Sequence, residues 1–335
     1  MSLAPLLRLM KKGQLLPALR ASARYEPYYA LCYLAGAKNA GLLERLANEP
    51  ASMDELADAH CRDVEAREAL EAWLQLGVRL GLLRHRGERY SLRGLALALS
   101  RPENDATLAL VQEVVTLHHK LIVDTPVRLR EGRPWQLEDQ DGALTARSSR
   151  ALEAFQIEAI DKSFPAAGPV RLLEVGCGSA FYLHYAAMKN PALQAVGVEL
   201  QREVAAIARA NVERWGLGDR VAIEAGDIRD KAATPTFDIV TLYNDIYYFP
   251  VAERVPLLAR LKEFLAPGGF LLLTTCCQGG NLGMEVLNLW GAATASAGRL
   301  PSVGEMQAQL AAAGYAGVDT MRLIPGDAFY AFRAR

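Results

Sequence analysis

One stretch of this 335-residue chain limits the possible folds more than any other: an apolar run at residues 170–175 that leads directly into Gly176, Cys177 and Gly178. A near-continuous aliphatic run of this length is typical of a central parallel strand that is buried on both faces. The two glycines can adopt backbone angles that other residues resist, and they let a ligand approach the main chain closely. A helix that begins near Ala180 would point its free amide groups at the turn. The stretch therefore predicts an α/β fold with a nucleotide site at this turn.

Two side chains near the turn indicate which kind of ligand it binds. A dinucleotide-binding fingerprint needs a third glycine for close packing of the helix on the strand, and this chain has Phe181 at that position. Glu174 places a carboxylate at the carboxyl end of the strand, where it would repel a pyrophosphate and attract a cationic amino-acid group. We therefore expect a positively charged ligand and not NAD.

Two later strands are predicted to end in acidic residues. A strand about 20 residues after the turn ends in Glu199, and Leu200 follows it. An acid at this spacing hydrogen-bonds ribose hydroxyl groups in the nucleotide-binding half of a doubly wound sheet. The next strand ends in Gly226 and Asp227, where a carboxylate could bind the edge of an adenine while Ile228 packs on the ring. Together with the glycine turn, these strand ends predict one nucleoside site.

With these features the chain resembles the class I S-adenosylmethionine (SAM) methyltransferases. The motifs that carry the resemblance occur in order and at regular spacing: residues 174–178 (EVGCG), Glu199, residues 226–227 (GD), residues 237–242 (FDIVTL) and residues 265–273 (LAPGGFLLL). The resemblance implies that SAM is the cofactor and that Glu199 binds its ribose. It also implies that Asp227 and Ile228 flank the adenine and that the turn at residues 176–178 faces the methionine part.

The end of the fourth predicted strand carries further candidates. In the family that the chain resembles, the position of Tyr243 flanks the cofactor, and an aromatic ring there would offer a cation–π contact to a sulfonium. The neighbouring Asn244 is a second predicted cofactor residue. Asn244 and Asp245 could instead be metal ligands, as in the shorter catechol-type methyltransferases. Those enzymes lack an amino-terminal domain, and no second acid lies at a suggestive spacing here, so we expect no metal.

The rhythm of strands and helices predicts the architecture of the second half of the chain. The predicted strands are residues 170–175, 194–199, 221–225, 237–242 and 269–275, and the predicted helices are residues 201–216, 252–265, 282–295 and 303–313. Strands that alternate with helices form a parallel, doubly wound sheet. Two more strands in residues 317–332 complete a Rossmann-like, seven-stranded sheet, and the methyltransferase plan implies that the last strand runs antiparallel.

The first hundred residues predict a mostly helical winged-helix domain. Ser52 and Glu55 form a capping box, a helix is predicted over residues 64–81, and a polar hairpin over residues 84–91. A helix that reads DNA should be basic, whereas residues 63–73 are acidic. The arrangement resembles small-molecule O-methyltransferases of plant and bacterial secondary metabolism, whose winged helix joins two subunits. The resemblance implies a homodimer formed through this domain.

The predicted domains are a winged-helix dimerisation domain at residues 1–100, a helical connector at residues 101–165 that contributes to the substrate pocket, and a SAM-binding domain at residues 166–335. Residues 1–23 are predicted to form an amphipathic helix that needs a partner surface, most simply its own fold or a second subunit. A helix over residues 107–122 and another over residues 149–159 are predicted within the connector.

Composition indicates which binding partners and which cellular compartment to expect. The net charge of −1 gives no long-range attraction to nucleic acid or to an anionic membrane, so a small-molecule acceptor is expected. No signal peptide and no membrane-spanning apolar run is expected. An odd number of scattered cysteines fits reduced thiols in a cytoplasm. The cysteines are at positions 32, 61, 177, 276 and 277.

At the position of the catalytic base, the chain departs from the pattern of the family that it resembles. Plant-type O-methyltransferases use a histidine just beyond the fourth strand, and this chain has Tyr247, Tyr248 and Phe249 there. A tyrosine with a pKa near ~10 is a poor base at neutral pH, so Tyr247 is predicted to orient the acceptor or pack against it. Either His118 or His119 serves as the base, or the acceptor is already ionised, or the acceptor atom is nitrogen, carbon or sulfur.

Five residues are predicted to form the acceptor pocket. Phe155 lies in a helix similar to the one that closes over the cofactor in the family, and residues 281–290 resemble the helix that roofs the pocket. The predicted pocket residues are Phe155, Met284, Leu287, Asn288 and Trp290. Methionine and aromatic side chains suit a flat or apolar acceptor.

The prediction is a SAM-dependent methyltransferase that acts on a small, aromatic or polyketide-like metabolite, with O-methylation as first choice. Methyl transfer of this kind gains chiefly from alignment, which can supply roughly 7–11 kcal/mol. One alternative is a relative that binds SAM but catalyses another reaction, which the missing histidine keeps open. Another is a regulator that senses SAM and binds DNA, against which the acidic helix argues.

Overall fold

The computed structural model describes residues 3–63 and 65–335, in two compact units that meet in sequence between Thr116 and Leu117. Within these described residues, no helix combines the length and the apolar character needed to cross a membrane. The boundary between the units falls inside the predicted connector.

The first unit is mostly helical. Its elements are α1 (Ala4–Lys11), α2 (Leu15–Asn39), α3 (Leu42–Asn48), β1 (Ala51–Ser52), α4 (Met53–His60), α5 (Ala66–Arg79), β2 (Leu83–Arg86), β3 (Arg89–Leu92), α6 (Gly94–Leu99) and α7 (Asp105–Glu113). The three strands form a small sheet in the order β1-β3-β2. The predicted capping box is present, because Ser52 Oγ accepts a hydrogen bond from the Glu55 amide and Glu55 Oε2 accepts one from the Ser52 amide.

The start of the chain differs from the prediction of one helix over residues 1–23. Gly13, with a φ of +66°, separates α1 from α2, and α2 then continues without a break to Asn39. Helix α2 contains Pro27 and continues through it, although a proline inside a helical pattern usually ends or kinks the helix. The predicted helix start at Val64 and the first two residues, Met1 and Ser2, lie outside the described residues.

The second unit contains the large sheet. After a π-helical turn (Val114–His118), its elements are α8 (His119–Arg130), α9 (Gly142–Ser148), α10 (Glu153–Ser163), β4 (Val170–Val175), α11 (Phe181–Lys189), β5 (Leu193–Glu199), α12 (Arg202–Arg214), β6 (Val221–Ala225), β7 (Phe237–Tyr243), α13 (Val251–Lys262), β8 (Leu265–Cys276), α14 (Leu282–Ala293), α15 (Val303–Ala312), β9 (Val318–Arg322) and β10 (Phe329–Ala334).

The sheet has seven strands in the order β6-β5-β4-β7-β8-β10-β9. Strands β4 to β8 pair in parallel, and β10 runs antiparallel to both of its neighbours. The fold prediction is therefore confirmed, including the single reversed strand. Because β4 lies inside the sheet and the chain order reverses between β4 and β7, the carboxyl ends of β4, β5, β6 and β7 meet at one edge, where open α/β sheets bind their ligands.

The connector helices differ in detail from the prediction. Instead of one helix over residues 107–122, the π-helical turn joins α7 to α8. The helix predicted over residues 149–159 begins as a 3-10 turn at Ser149–Leu152 and continues as α10. Helix α9 was not predicted, although Asp141 caps it through a hydrogen bond from the Leu144 amide at 3.0 Å.

Candidate active site

A cavity of about 290 Å³ lies in the second unit. One part of its lining, which we call the strand-end wall, comes from the segments that follow β4, β5, β6 and β7. Every predicted cofactor residue except Glu174 lines it: Gly176, Cys177, Gly178, Glu199, Leu200, Gly226, Asp227, Ile228, Tyr243 and Asn244. The sheet therefore brings together residues that are up to about 70 positions apart in the chain, as parallel strands that end at one edge should.

Glu199 ties the end of β5 to the glycine turn. Its Oε2 accepts a hydrogen bond from the Gly178 amide at 3.0 Å, and its Oε1 accepts one from the Gln201 amide at 3.0 Å. The Gly176 amide donates to the Val198 carbonyl at 2.8 Å, which anchors the other side of the turn. The turn is thus held in place before any ligand arrives.

A carboxylate that was not among the predicted cofactor residues lies against this turn. Gly176 has a φ of +68°, and a Cβ at this position would collide with Oδ2 of Asp245. That oxygen is buried and has no hydrogen-bond partner among the described residues. Burial raises the pKa of the Asp245 carboxyl well above its usual range, and the negative charges of Glu199 and Glu174 add to the shift. The feature of the sequence that could have identified Asp245 is its position two residues after the end of β7.

Glu174 is placed beneath the lining and not in it. The residue is only 2% exposed, and its Oε2 has no hydrogen-bond partner in the described part of the chain. Burial raises the pKa of this carboxyl well above its usual range. Glu174 therefore lies behind the cavity, packed within β4, and does not contact its interior.

Asp227 is already paired in this structure. Its carboxylate accepts hydrogen bonds from the Arg229 side chain at 2.6–3.1 Å and from the Arg229 amide at 2.9 Å. These bonds to Arg229 lower the pKa of Asp227. Arg229 also donates to Glu253 and lines the cavity, and the sequence analysis did not identify it. The feature of the sequence that could have identified Arg229 is its position two residues after Asp227.

Two tyrosines stand beside one another at the end of β7. The rings of Tyr182 and Tyr243 meet edge to face at 5.5 Å, and burial raises the pKa of both hydroxyl groups above the usual tyrosine value. Neither can therefore serve as a base near neutral pH. Asn244, next in the chain, has a φ of +58° and a buried Oδ1 without a hydrogen-bond partner among the described residues. Backbone strain of this kind clusters at functional sites.

The rest of the lining, which we call the helical wall, comes from residues 137–150 and 294–296. Its members are small or uncharged apart from one arginine: Leu137, Gln140, Gly142, Thr145, Ala146, Ser149, Arg150, Thr294, Ala295 and Ser296. The guanidinium of Arg150 is bound to Glu153 and lies 4.3 Å from the centre of the Phe181 ring. The sequence analysis identified none of these residues, although Asp141 before α9 is a helix-capping signal that would have pointed to this segment.

The predicted acceptor residues do not line this cavity, with the exception of Tyr247. Trp290 instead packs on the Tyr247 and Tyr248 rings, at 6.1 Å and 4.9 Å between ring centres. Asn288 Oδ1 accepts a hydrogen bond from the Leu300 amide at 2.9 Å. The remaining predicted residues pack in or against the hydrophobic core: Phe155, Met284 and Leu287.

His118 ends the π-helical turn and His119 begins α8. Neither is among the residues that line the cavity. The charged side chains that do line it are Arg150, Glu199, Asp227, Arg229 and Asp245.

Comparison with known proteins identifies the core of this unit. Residues 172–269, which include the glycine turn, Glu199 and Asp245, match the family model described as a methyltransferase domain. This stretch is a methyltransferase domain. The resemblance predicted from the sequence is therefore confirmed for the domain.

Curated relatives match this chain over only part of their own length. Demethylspheroidene O-methyltransferase of Rhodobacter capsulatus is 26% identical over 157 residues, which are 46% of this chain and 38% of that enzyme. Ribosomal protein L11 methyltransferase of Shewanella pealeana is 33% identical over 107 residues, which are 32% of this chain and 34% of that protein. The chain spans between 25% and 38% of the length of the curated relatives that it matches.

Solved structures share the fold over nearly the whole chain. The mitomycin 7-O-methyltransferase MmcR superposes with a TM-score of 0.77 at 17% identity, covering 95% of this chain and 99% of that one. At this identity the likeness shows a common fold.

Proposed function

We propose that this protein is a SAM-dependent methyltransferase that acts on a small, aromatic or polyketide-like acceptor, with oxygen as the first-choice nucleophile. The observation that carries the proposal is the arrangement of Glu199. Its carboxylate accepts the Gly178 amide of the glycine turn and the Gln201 amide before α12, within a cavity that Asp227 and Ile228 also line. An acid at the end of the second strand, with a second acid at the end of the third, fits a nucleoside.

Each part of the donor has residues of matching chemistry. The carboxylate of Glu199 is suited to the ribose hydroxyl groups, Asp227 and Ile228 to the adenine, and the turn at residues 176–178 to the methionine part. Buried polar atoms of Asn244 and Asp245 that lack hydrogen-bond partners in the described chain fit a polar ligand. When bound, SAM supplies an electrophilic methyl group: the electron pair of the nucleophile forms the new bond to carbon, the carbon–sulfur bond breaks, and a neutral thioether leaves.

The chain itself would contribute alignment and exclusion of water. Tyr247 is 7% exposed, lines the cavity and stacks on Tyr248 at 5.2 Å, which suits it to orient a flat acceptor. The lining contains no histidine or lysine among the described residues, so we propose an acceptor that loses its proton without a strong base in the protein. The proposal assigns no catalytic role to His118 or His119.

We propose further that residues 1–100 form a winged-helix dimerisation domain, residues 101–165 a connector and residues 166–335 the SAM-binding domain. Support for a homodimer comes from apolar side chains that α1 and the first half of α2 expose: Leu6, Leu7, Leu9, Met10, Leu16 and Leu19. Exposed apolar surface of this extent marks protein interfaces. Light scattering should give twice the chain mass, and a monomer that remains active would contradict the proposal.

The decisive experiment is calorimetry with SAM followed by methyl transfer from labelled donor to a panel of flat phenols and enols. The proposal expects saturable SAM binding and label in at least one acceptor. Absence of any heat with SAM would refute it. Binding without label transfer to any acceptor would favour the second candidate, a relative that binds SAM for another reaction. Support for this candidate is that the described lining contains no histidine.

A further inference from the structure

We propose that Asp245 is the residue that binds the cationic amino group of the methyl donor. The inference rests on the proposed function and assigns Asp245 a role in it. Its basis is a carboxylate that points at the glycine turn and has an oxygen with no donor to satisfy it.

The backbone aims Asp245 at the turn. Asn244 takes a left-handed conformation, with a φ of +58°, directly after β7, so the chain leaves the strand direction at this residue. Asp245 then precedes a 3-10 turn (Ile246–Tyr248), a position at which aspartate usually caps the turn with its side chain. Here the side chain makes no such hydrogen bond, and its Oδ2 lies against Gly176 instead. A strained backbone and an unused cap together indicate that the carboxylate is placed for a ligand.

The local charge calls for a cation. The charges that act on Asp245 are those of Glu199 and Glu174, both negative. Oε2 of Glu174, a residue only 2% exposed, also has no hydrogen-bond partner in the described part of the chain. The two arginines that line the cavity are engaged elsewhere, Arg150 with Glu153 and Arg229 with Asp227 and Glu253. Buried carboxylates left in this state are costly unless a positive partner joins them.

The partner that fits is an ammonium group. An ammonium carries three N–H donors, so it would satisfy Oδ2 by a charge-assisted hydrogen bond as well as by its charge. The sulfonium of the same donor has no N–H and leaves the oxygen unsatisfied. A metal ion fits less well, because no group of three or more His, Cys, Asp or Glu side chains within residues 3–63 and 65–335 could hold one.

The test is Asp245→Asn with three ligands that differ in their cationic groups. SAM has a sulfonium and an ammonium, S-adenosylhomocysteine has only the ammonium, and 5′-methylthioadenosine has neither. Calorimetry should show SAM and S-adenosylhomocysteine weakened equally, by about 30-fold or more, because loss of one partner of a buried charged pair costs at least about 2 kcal/mol. Binding of 5′-methylthioadenosine should not change. Glu203→Gln, an exposed acid in the first turn of α12, is the matched control and should bind all three as the wild type does.

A second measurement separates binding from a structural role. In the ligand-free protein, Asp245→Asn removes a buried carboxylate that has an unsatisfied oxygen, so its melting temperature should rise. A fall in the melting temperature with equal weakening of all three ligands would make Asp245 structural and overturn the inference. Weakening of SAM alone would assign Asp245 to the sulfonium, and unchanged affinities with a lower kcat would make it a base; each overturns the inference. If the wild type itself bound none of the ligands, the proposed function would fail instead.

Discussion

The two walls of the cavity are built in opposite ways. The strand-end wall carries Glu199, Asp227 and Asp245, with Glu174 buried beneath it, and its backbone is fixed by hydrogen bonds between neighbouring strands. The helical wall carries small and uncharged side chains on short helical segments, with Arg150 as its one charged member among the described residues. A rigid charged wall suits a cofactor that never changes, and an uncharged wall on short segments suits an acceptor that differs between related enzymes. The following predictions test this division.

The largest effect is expected at Glu199, whose carboxylate joins the end of β5 to the glycine turn within the strand-end wall. In Glu199→Gln, an NH2 group replaces one of the two carboxylate oxygens, and this group donates hydrogen bonds instead of accepting them. The variant therefore cannot accept hydrogen bonds from both the Gly178 amide and the Gln201 amide. We expect SAM affinity to fall by about 100-fold, the equivalent of two weakened charge-assisted hydrogen bonds. Calorimetry measures the change, and Glu203→Gln on the same helix–strand unit is the control. Undiminished SAM affinity would show that the wall is not organised around Glu199.

The second effect separates two glycines in the same turn. Gly176 and Gly178 have φ values of +68° and +52°, so alanine at either position costs about 1–2 kcal/mol of folding free energy. Only at position 176 does the new Cβ collide with Asp245, whereas at position 178 it meets open space. Gly176→Ala should therefore be destabilised further than Gly178→Ala, by about 1–3 kcal/mol. Urea denaturation of the ligand-free variants measures the difference, and equal losses would show that Asp245 does not lie against the turn.

The division between the walls also explains what the sequence could predict. The ends of successive strands in a parallel sheet must meet at one edge, so Glu199 and Asp227 could be placed together from periodicity and spacing. The family resemblance implied that Tyr243 joins them. An apolar helix pattern predicts burial but not which cavity a side chain faces. Met284 and Trp290 were expected in the pocket because residues 281–290 resemble the helix that roofs it in the family, whereas the structure packs both side chains in the core.

The residues that the sequence did not reveal have a common cause. Gln140 and Thr145 lie on short segments whose position depends on tertiary packing, and short helices have little local signal of their own. Asp245 was visible in the sequence, but its direction depends on the left-handed backbone of Asn244, which a non-glycine residue rarely adopts.

A third, smaller effect concerns pH. The pKa values of Glu174 and Asp245 are raised by burial, so between the usual carboxyl value near ~4 and the raised values the folded protein binds more protons than the unfolded chain. The free energy of unfolding of the ligand-free protein should therefore fall as pH rises through this window, by at most about 1.4 kcal/mol per pH unit for each group. Denaturation between pH 4.5 and 8 measures the slope. Asp245→Asn should reduce it, and an unchanged slope would contradict the burial of an ionisable Asp245.

The smallest effect is expected where the strand-end wall meets the acceptor, at Tyr247. Tyr247→Phe keeps the ring that stacks on Tyr248 at 5.2 Å and meets Trp290 edge to face at 6.1 Å, and it removes only the hydroxyl group. If Tyr247 orients the acceptor, kcat should fall by less than about tenfold, because one hydrogen bond contributes about 0.5–1.5 kcal/mol.

Loss of a catalytic base would instead lower kcat by about 100-fold to 10,000-fold and remove one limb of the pH profile. Tyr248→Phe is the matched comparison, since its hydroxyl accepts a hydrogen bond from Gln140 Nε2 at 3.4 Å on the helical wall. A large loss of kcat for Tyr247→Phe alone would show that a residue of the strand-end wall takes part in proton transfer. That result would contradict the proposed division between the two walls. Small losses for both variants would indicate that the acceptor loses its proton without help from either tyrosine, in agreement with the proposed function.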